Sequence, residues 1–313
     1  MPFNLVDPVN TPFSENGDLN LEVVPAIANV SSMHHMEVVL LGGSNGEWSS
    51  MSVEERVSLM DAWADALNSL SPYRPSLMFH VGSLDLRQAV VLAEEAEKRD
   101  GVDSILAVAP GVIFTPDSTD ALASHLRVIA AAAPSKPFYY YHFPGLYHVD
   151  AGFSMVDLIA SMTNKSNADT YIPTLRGIKY IDSNVEDYIK AVAIAESNGH
   201  PVEWIVEAQL TTTCRPYGCV GTPTHPMTAT ELRAAVAGMD GGDFEAAAAA
   251  QRKYYAFGDA QAGCGSGVGV PKEVFRLFYG VDLGPPRPPQ SPLTAAQKAQ
   301  LKKQLQDAGF LPK

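Results

Sequence analysis

The chain has 313 residues, 46% of them apolar and 18% charged, and its mean hydropathy is close to zero. That profile excludes a disordered or membrane-embedded protein and is ample for a buried core. The formal net charge of −13 argues against a nucleic-acid or anionic-membrane partner, because neutralising phosphates takes clustered Lys and Arg.

The N-terminal run MPFNLVDPVNTPF has no basic start followed by a long apolar stretch, so no signal peptide is expected. No segment approaches the roughly 18 uninterrupted apolar residues of a membrane span. The expected home is the cytoplasm. In chain order, strand-like runs fall at Leu5–Asn10, Glu37–Leu41, Ser76–His80, Ser104–Val108, Pro137–Tyr141, Leu175–Tyr180 and Glu203–Glu207, with a weaker one at Cys219–Gly221. Most are continuously apolar, as parallel strands covered on both faces are.

Helical patterns separate them: Val53–Leu70, Leu86–Arg99, Thr119–Ala133, Met155–Met162, Val185–Asn198 and Ala229–Gly238. Ser52 followed by Glu55 predicts a capping box at the start of the first. Strands alternating with helices imply βαβ units and a parallel sheet, and about eight strands favour closure into a (β/α)8 TIM barrel. The absence of G-x-G-x-x-G after the first strand counts against a dinucleotide-binding sheet. Beyond the barrel, helical patterns at Phe244–Gln251, Lys272–Phe278 and Ala295–Asp307 form a C-terminal helical extension, with the GPPRPP stretch as a rigid connector between the last two. The expected organisation is a barrel over 1–225 and an extension over 226–313, packed as one structural unit.

In such a barrel, function sits at the C-terminal ends of the strands. The sixth run, Leu175-Arg176-Gly177-Ile178-Lys179-Tyr180, carries a lysine where an apolar residue belongs. Alternation places Leu175, Gly177 and Lys179 on one face, with Gly177 expected to clear space beside the amine. A buried lysine loses its charge more readily and becomes a nucleophile toward ketones. The alternative is a strand-end lysine that reaches solvent. The fifth run ends in Tyr141, followed closely by Pro144, and a tyrosine beside an imine can relay a proton; packing is the alternative role for any of the three tyrosines here. The second run enters Gly42-Gly43-Ser44-Asn45-Gly46-Glu47, a turn suited to bringing N–H groups onto an anion, such as the carboxylate of a 2-oxo acid, or simply to linking strand and helix. Glu47 is a candidate structural acceptor beneath that turn. His80 reads as a packing or hydrogen-bonding residue, and His34 and His35 as lying away from the site. The three cysteines, Cys214, Cys219 and Cys264, match no disulfide framework or zinc-site spacing and read as free thiols.

These motifs, in this order, resemble the dihydrodipicolinate synthase and N-acetylneuraminate lyase superfamily. Gly43–Glu47 is similar to its G-[ST]-[ST]-G-E carboxylate loop, Tyr141–Pro144 to its Y-x-x-P motif, and Gly177-Ile178-Lys179 to its G-[IL]-K Schiff-base motif. Gly218–Gly221 and Gly284-Pro285-Pro286-Arg287 also match, and the PFYYYH and Phe79–Gly82 segments look nearest to animal-type lyases. The resemblance implies a homotetramer with no metal and no cofactor, a small-molecule 2-oxo acid substrate, and reversible aldol cleavage through a pyruvate imine. On it, Lys179 and Tyr141 are catalytic, and Ser44, Asn45, Glu207 and Thr222 bind substrate.

The chain departs from the lyase pattern at Asn45 and Thr222, at Ile181 where a hydroxyl residue is usual, and at Ala208, which aligns with half of an acidic pair. Fewer polar partners for a sugar chain set a shorter or less hydroxylated acid beside sialic acid as a candidate substrate. The synthase branch fits less well: where it carries a tyrosine for a neighbouring subunit, this chain has Pro110-Gly111-Val112-Ile113-Phe114. A condensing or dehydrating enzyme of the synthase type, or a non-catalytic sugar-acid-binding barrel, is the alternative.

Overall fold

The computed structural model describes residues 2–110, 115–147 and 153–312; Gly111–Phe114 of the departure from the synthase pattern lie outside them. Eight strands, β1 (Asn4–Asp7), β2 (Val38–Leu41), β3 (Ser76–His80), β4 (Ser104–Val108), β5 (Phe138–His142), β6 (Leu175–Tyr180), β7 (Glu203–Val206) and β8 (Cys219–Pro223), close into a barrel in sequence order. The helices are α1 (Val24–Met33), α2 (Val53–Asn68), α3 (Leu86–Glu97), α4 (Thr119–Ala131), α5 (Pro144–Tyr147), α6 (Met155–Thr163), α7 (Val185–Ser197), α8 (Thr211–Cys214), α9 (Ala229–Gly241), α10 (Phe244–Asp259), α11 (Gly269–Tyr279) and α12 (Ala295–Asp307). This is the expected (β/α)8 barrel followed by C-terminal helices. No helix among the described residues is long and apolar enough to cross a membrane.

The chain divides into two compact units. One comprises Met1–Asn4 with Met78–Pro223, the other Leu5–Leu77 with Thr224–Lys313. In the first, parallel pairing runs from β3 through β8, with Tyr141 opposite Lys179 and Lys179 opposite Ile205. The strand period sorts the side chains. Ile178, Tyr180 and Trp204 turn toward the helices: Tyr180 packs 5.7 Å from the ring of Tyr188 on α7, and Trp204 meets Tyr188 edge-on at 5.2 Å. Tyr139, Tyr141, Gly177, Lys179, Glu203 and Ile205 take the opposite face.

Gly177 does not clear space beside the lysine as expected. A Cβ there would come 2.5 Å from the Glu203 carbonyl oxygen and 2.6 Å from the Tyr139 ring, so the missing side chain admits that ring. The Tyr139 hydroxyl donates to Glu203 at 2.6 Å, and Arg176 pairs with the same carboxylate at 2.6 Å. Tyr139 and Glu203 thus lie on the face that carries Lys179, while Arg176 reaches the carboxylate from an exposed position.

In the second unit the α2 capping box forms as its sequence dictates, Ser52 Oγ accepting from the Glu55 N–H and Glu55 accepting from the Ser52 N–H. Thr294 and Gln297 repeat the device on α12. Phe257 of α10, Val274 of α11, and Leu301 and Leu305 of α12 bury their apolar faces in one cluster with Cys264 and Leu293. At roughly 25 cal/mol per Å² of apolar surface removed from water, this burial is what holds the extension's helices together.

Candidate active site

Lys179 is only 4% exposed. Its Nζ lies 3.4 Å from the centre of the Tyr141 ring, on the neighbouring strand at the same register. The burial that desolvates this amine pulls its pKa well below the usual lysine range, and the Glu207 carboxylate opposes that shift more weakly. Glu207 follows β7 and immediately precedes the turn Ala208–Leu210, with no capping bond from its side chain. Burial raises the pKa of its carboxyl, against the pull of Lys179. Coulombic coupling in both directions places acid and amine as electrostatic neighbours, and among the described residues Lys179 makes no ion pair. The solvent-reaching alternative for this lysine is thereby removed.

Tyr141 is itself buried, at 4% exposure. Its ring also stacks on Phe143, 5.9 Å away. Thr222 on β8 is fully buried and its Oγ1 accepts from Thr211 Oγ1 at 3.0 Å, so part of its hydrogen-bonding capacity serves the turn after β7. Ile181 and Ala208 are both buried and apolar, beside Lys179 and Glu207 in sequence.

In the second unit the glycine-rich turn leaves β2 through Gly42, whose φ of +68° is the left-handed conformation that favours glycine. A Cβ on Gly46 would come 2.9 Å from the Gly42 Cα, so the tight return needs glycine there too. Ser44 and Asn45, half-buried, ride the tip. Glu47 closes the turn and is the structural acceptor expected of it. Its Oε1 pairs with the buried Lys272 of α11 at 2.7 Å, and its Oε2 accepts from the Arg287 N–H at 2.9 Å. The Arg287 guanidinium in turn binds Glu55, Gly17 O and Ser50 O. The C-terminal extension therefore braces the turn from beneath.

Two residues that sequence reasoning passed over stand at this turn. His225, just past β8, has its Nε2 3.2 Å from Asn45 Nδ2 and its Nδ1 3.4 Å from Asp7, the last residue of β1. Their signal was position: a polar residue at or just beyond a strand's C-terminal end.

His80 is fully buried, consistent with a packing or hydrogen-bonding role. His34 lies against Tyr279 of α11, with Nε2 3.2 Å from the phenol oxygen. The three cysteines are free and buried. Burial pushes the Cys214 thiol up to about 12 and that of Cys219 up to about 11, which removes thiolate nucleophiles at neutral pH. Among the described residues, no group of three or more His, Cys, Asp or Glu is placed to hold a metal ion.

Residues 1–308 match the family described as "Dihydrodipicolinate synthetase family". The chain is 29% identical over 311 residues to the N-acetylneuraminate lyase of Mus musculus, covering 98% of this chain and 92% of that one. Among solved structures, the Proteus mirabilis N-acetylneuraminate lyase superposes with a TM-score of 0.86 at 26% identity, covering 99% of each chain. A dihydrodipicolinate synthase, DapA-2 of Bacillus anthracis, superposes at 0.83 with 21% identity over the whole of both chains, a likeness of fold alone.

Proposed function

The chain belongs to the dihydrodipicolinate synthetase family, and from that premise we propose that it is a class I aldolase, a carbon–carbon lyase that reversibly cleaves a 2-oxo-3-deoxy sugar acid such as N-acetylneuraminate to pyruvate and an aldehyde. The observation that carries this reading is the Lys179 amine, sealed on the inner face of β6 against the Tyr141 ring and held below its usual pKa.

A neutral amine has the lone pair that attacks the C2 ketone; the carbinolamine then takes up a proton and loses water to give the protonated imine. The iminium is the electron sink. As the C4 hydroxyl gives up its proton, the C3–C4 bond breaks, the aldehyde leaves, and the bond's electrons form an enamine. Protonation at C3 and hydrolysis return pyruvate and free Lys179. Tyr141 is assigned the proton relay at the C4 hydroxyl. Ser44 and Asn45 are assigned the substrate carboxylate, whose charge the turn's donors offset. Glu207 and Thr222 are assigned the hydroxyls of the sugar chain. Ile181 and Ala208 carry apolar side chains where the resembled lyase pattern has polar ones, which favours an acid with fewer hydroxyls at those positions.

The lyase names of the curated relatives support cleavage over condensation of the synthase type, which would begin from the same imine. A homotetramer in the cytoplasm completes the proposal. Borohydride reduction in the presence of pyruvate tests it: one irreversible adduct is expected, on the peptide that contains Lys179, with activity lost in proportion. An unmodified Lys179 at saturating pyruvate would end the aldolase reading, and a panel of pyruvate-plus-aldehyde condensations would identify the second substrate.

A further inference from the structure

The backbone of the Gly43–Glu47 turn is pinned from the segment after β1. Asn10 Nδ2 donates to the Asn45 carbonyl at 2.9 Å, and Thr11 Oγ1 donates to the Gly46 carbonyl at 2.7 Å. Neither bond orients the Asn45 side chain. That amide instead meets His225, whose Nε2 is 3.2 Å from Asn45 Nδ2.

On its far side the imidazole faces Asp7, Nδ1 lying 3.4 Å from Oδ1. Asp7 is 1% exposed, and its other oxygen accepts from Ser31 Oγ on α1 at 2.7 Å. A carboxylate only accepts, so at this distance its charge favours, in the neutral ring, the tautomer with the hydrogen on Nδ1. The lone pair then lies on Nε2, and that nitrogen accepts an N–H from Asn45. The chain Ser31–Asp7–His225–Asn45 thus assigns which end of the amide is which. The second N–H of Asn45 Nδ2 becomes the donor that the turn presents, in place of an oxygen that would repel an anion.

We infer that His225, oriented by Asp7, is the positioning residue that aims the Asn45 amide N–H at the carboxylate of a 2-oxo acid. The inference rests on the aldolase reading above, because it deepens the carboxylate-binding role assigned to Asn45 there. It makes binding of the acid depend on a histidine 180 residues away in sequence from the group that grips it.

The probe is pyruvate, with borohydride trapping on Lys179 followed by mass and the half-saturating concentration read from the titration. Loss of one aimed hydrogen bond to a charged group predicts that His225→Ala raises half-saturation about tenfold, with the trapping rate at saturation within about twofold of native. Asn45→Ala is expected to do the same, and the double variant to be no worse than either single one. His225→Gln, whose side-chain oxygen can accept the same N–H, is expected to recover most of the loss.

Losses that multiply in the double variant overturn the inference. So does a saturating rate that falls while half-saturation stays put, or a His225→Gln variant as impaired as His225→Ala. If His225→Ala does not fold, as judged by circular dichroism, the comparison of His225→Gln with native in the Asn45→Ala background decides the matter: the inference requires no difference there. A native chain that traps no pyruvate fails the aldolase reading itself, a result distinct from trapping that ignores His225.

Discussion

Lys179 on β6 and Lys272 on α11 are almost equally sealed from water, at 4% and 3% exposure, yet their surroundings differ in kind. Lys272 donates to the Pro285 carbonyl at 3.1 Å and faces the Glu47 carboxylate at 2.7 Å. Burial lowers its pKa, but Glu47 pulls back both through charge and through a hydrogen bond. Lys179 has an aromatic face at 3.4 Å and only a more distant carboxylate, so desolvation wins. Burial alone does not make a nucleophile. What differs is whether an anion has been buried in contact with the amine: the Glu47 carboxylate offsets part of the desolvation at Lys272, whereas at Lys179 only the weaker pull of Glu207 opposes it.

The sharpest way to break this contrast is to remove each amine. Lys179→Met should lower turnover by on the order of 10⁴-fold or more while leaving the melting temperature unchanged or higher, because it deletes a desolvated group and keeps the volume. Turnover within tenfold of native would refute the assignment. On the structural side, Glu47→Gln strands Lys272 as a buried charge without its counter-ion and should cost about 3–5 kcal/mol in urea unfolding. Adding Lys272→Met should restore most of that loss, since the uncompensated charge is then gone.

A third test uses pH. Lys179 has a depressed native pKa, so between that value and the unfolded-chain value of about 10.4 the unfolded state binds more protons. Stability contributed by the lysine chain therefore rises with pH through that window, at up to about 1.4 kcal/mol per pH unit, and is flat below the native pKa. The stability advantage of Lys179→Met over native should accordingly shrink as pH rises toward 10.4. A gap independent of pH would mean that the amine keeps its proton in the fold. Arg287→Ala is expected to have a smaller effect, about 1–2 kcal/mol, from loss of its bonds to Glu55, Gly17 and Ser50 at a partly exposed site. Smallest of all, iodoacetamide at pH 7 should leave activity unchanged, because the buried Cys214 and Cys219 thiols stay protonated there.

Much of the architecture was legible because it is local. The Ser52–Glu55 capping box needs only a few neighbouring residues to form, and α12 occupies the range that its sequence pattern indicates. The misses are local too. Helix α1 is faint in the sequence because Pro25 stands in its first turn, where proline is tolerated, and Asn29, Ser31 and Ser32 dilute its apolar stripe. Helix α11 starts three residues before the expected Lys272, since Gly269-Val270-Pro271 looks like a breaker until it is seen to be an N-terminal turn. At Gly177 the strand pattern points to Lys179 as the neighbour, but the ring that the glycine admits comes from Tyr139 on β5.

For the proposed site, order along the chain directs attention to Lys179, Tyr141 and the Gly43–Glu47 turn, because barrel strands present their ends in sequence. It could not say that the amine of Lys179 is dry, that Glu47 is matched by Lys272, or that Asn45 is aimed by His225 and Asp7. Those depend on which side chains from remote segments exclude water or supply a partner. Residue types and their period set the alternation of strands and helices, since backbone propensity and apolar spacing act over a few residues. Protonation and hydrogen-bond direction were decided only in three dimensions, where desolvation and charge act over a few ångströms whatever the separation along the chain.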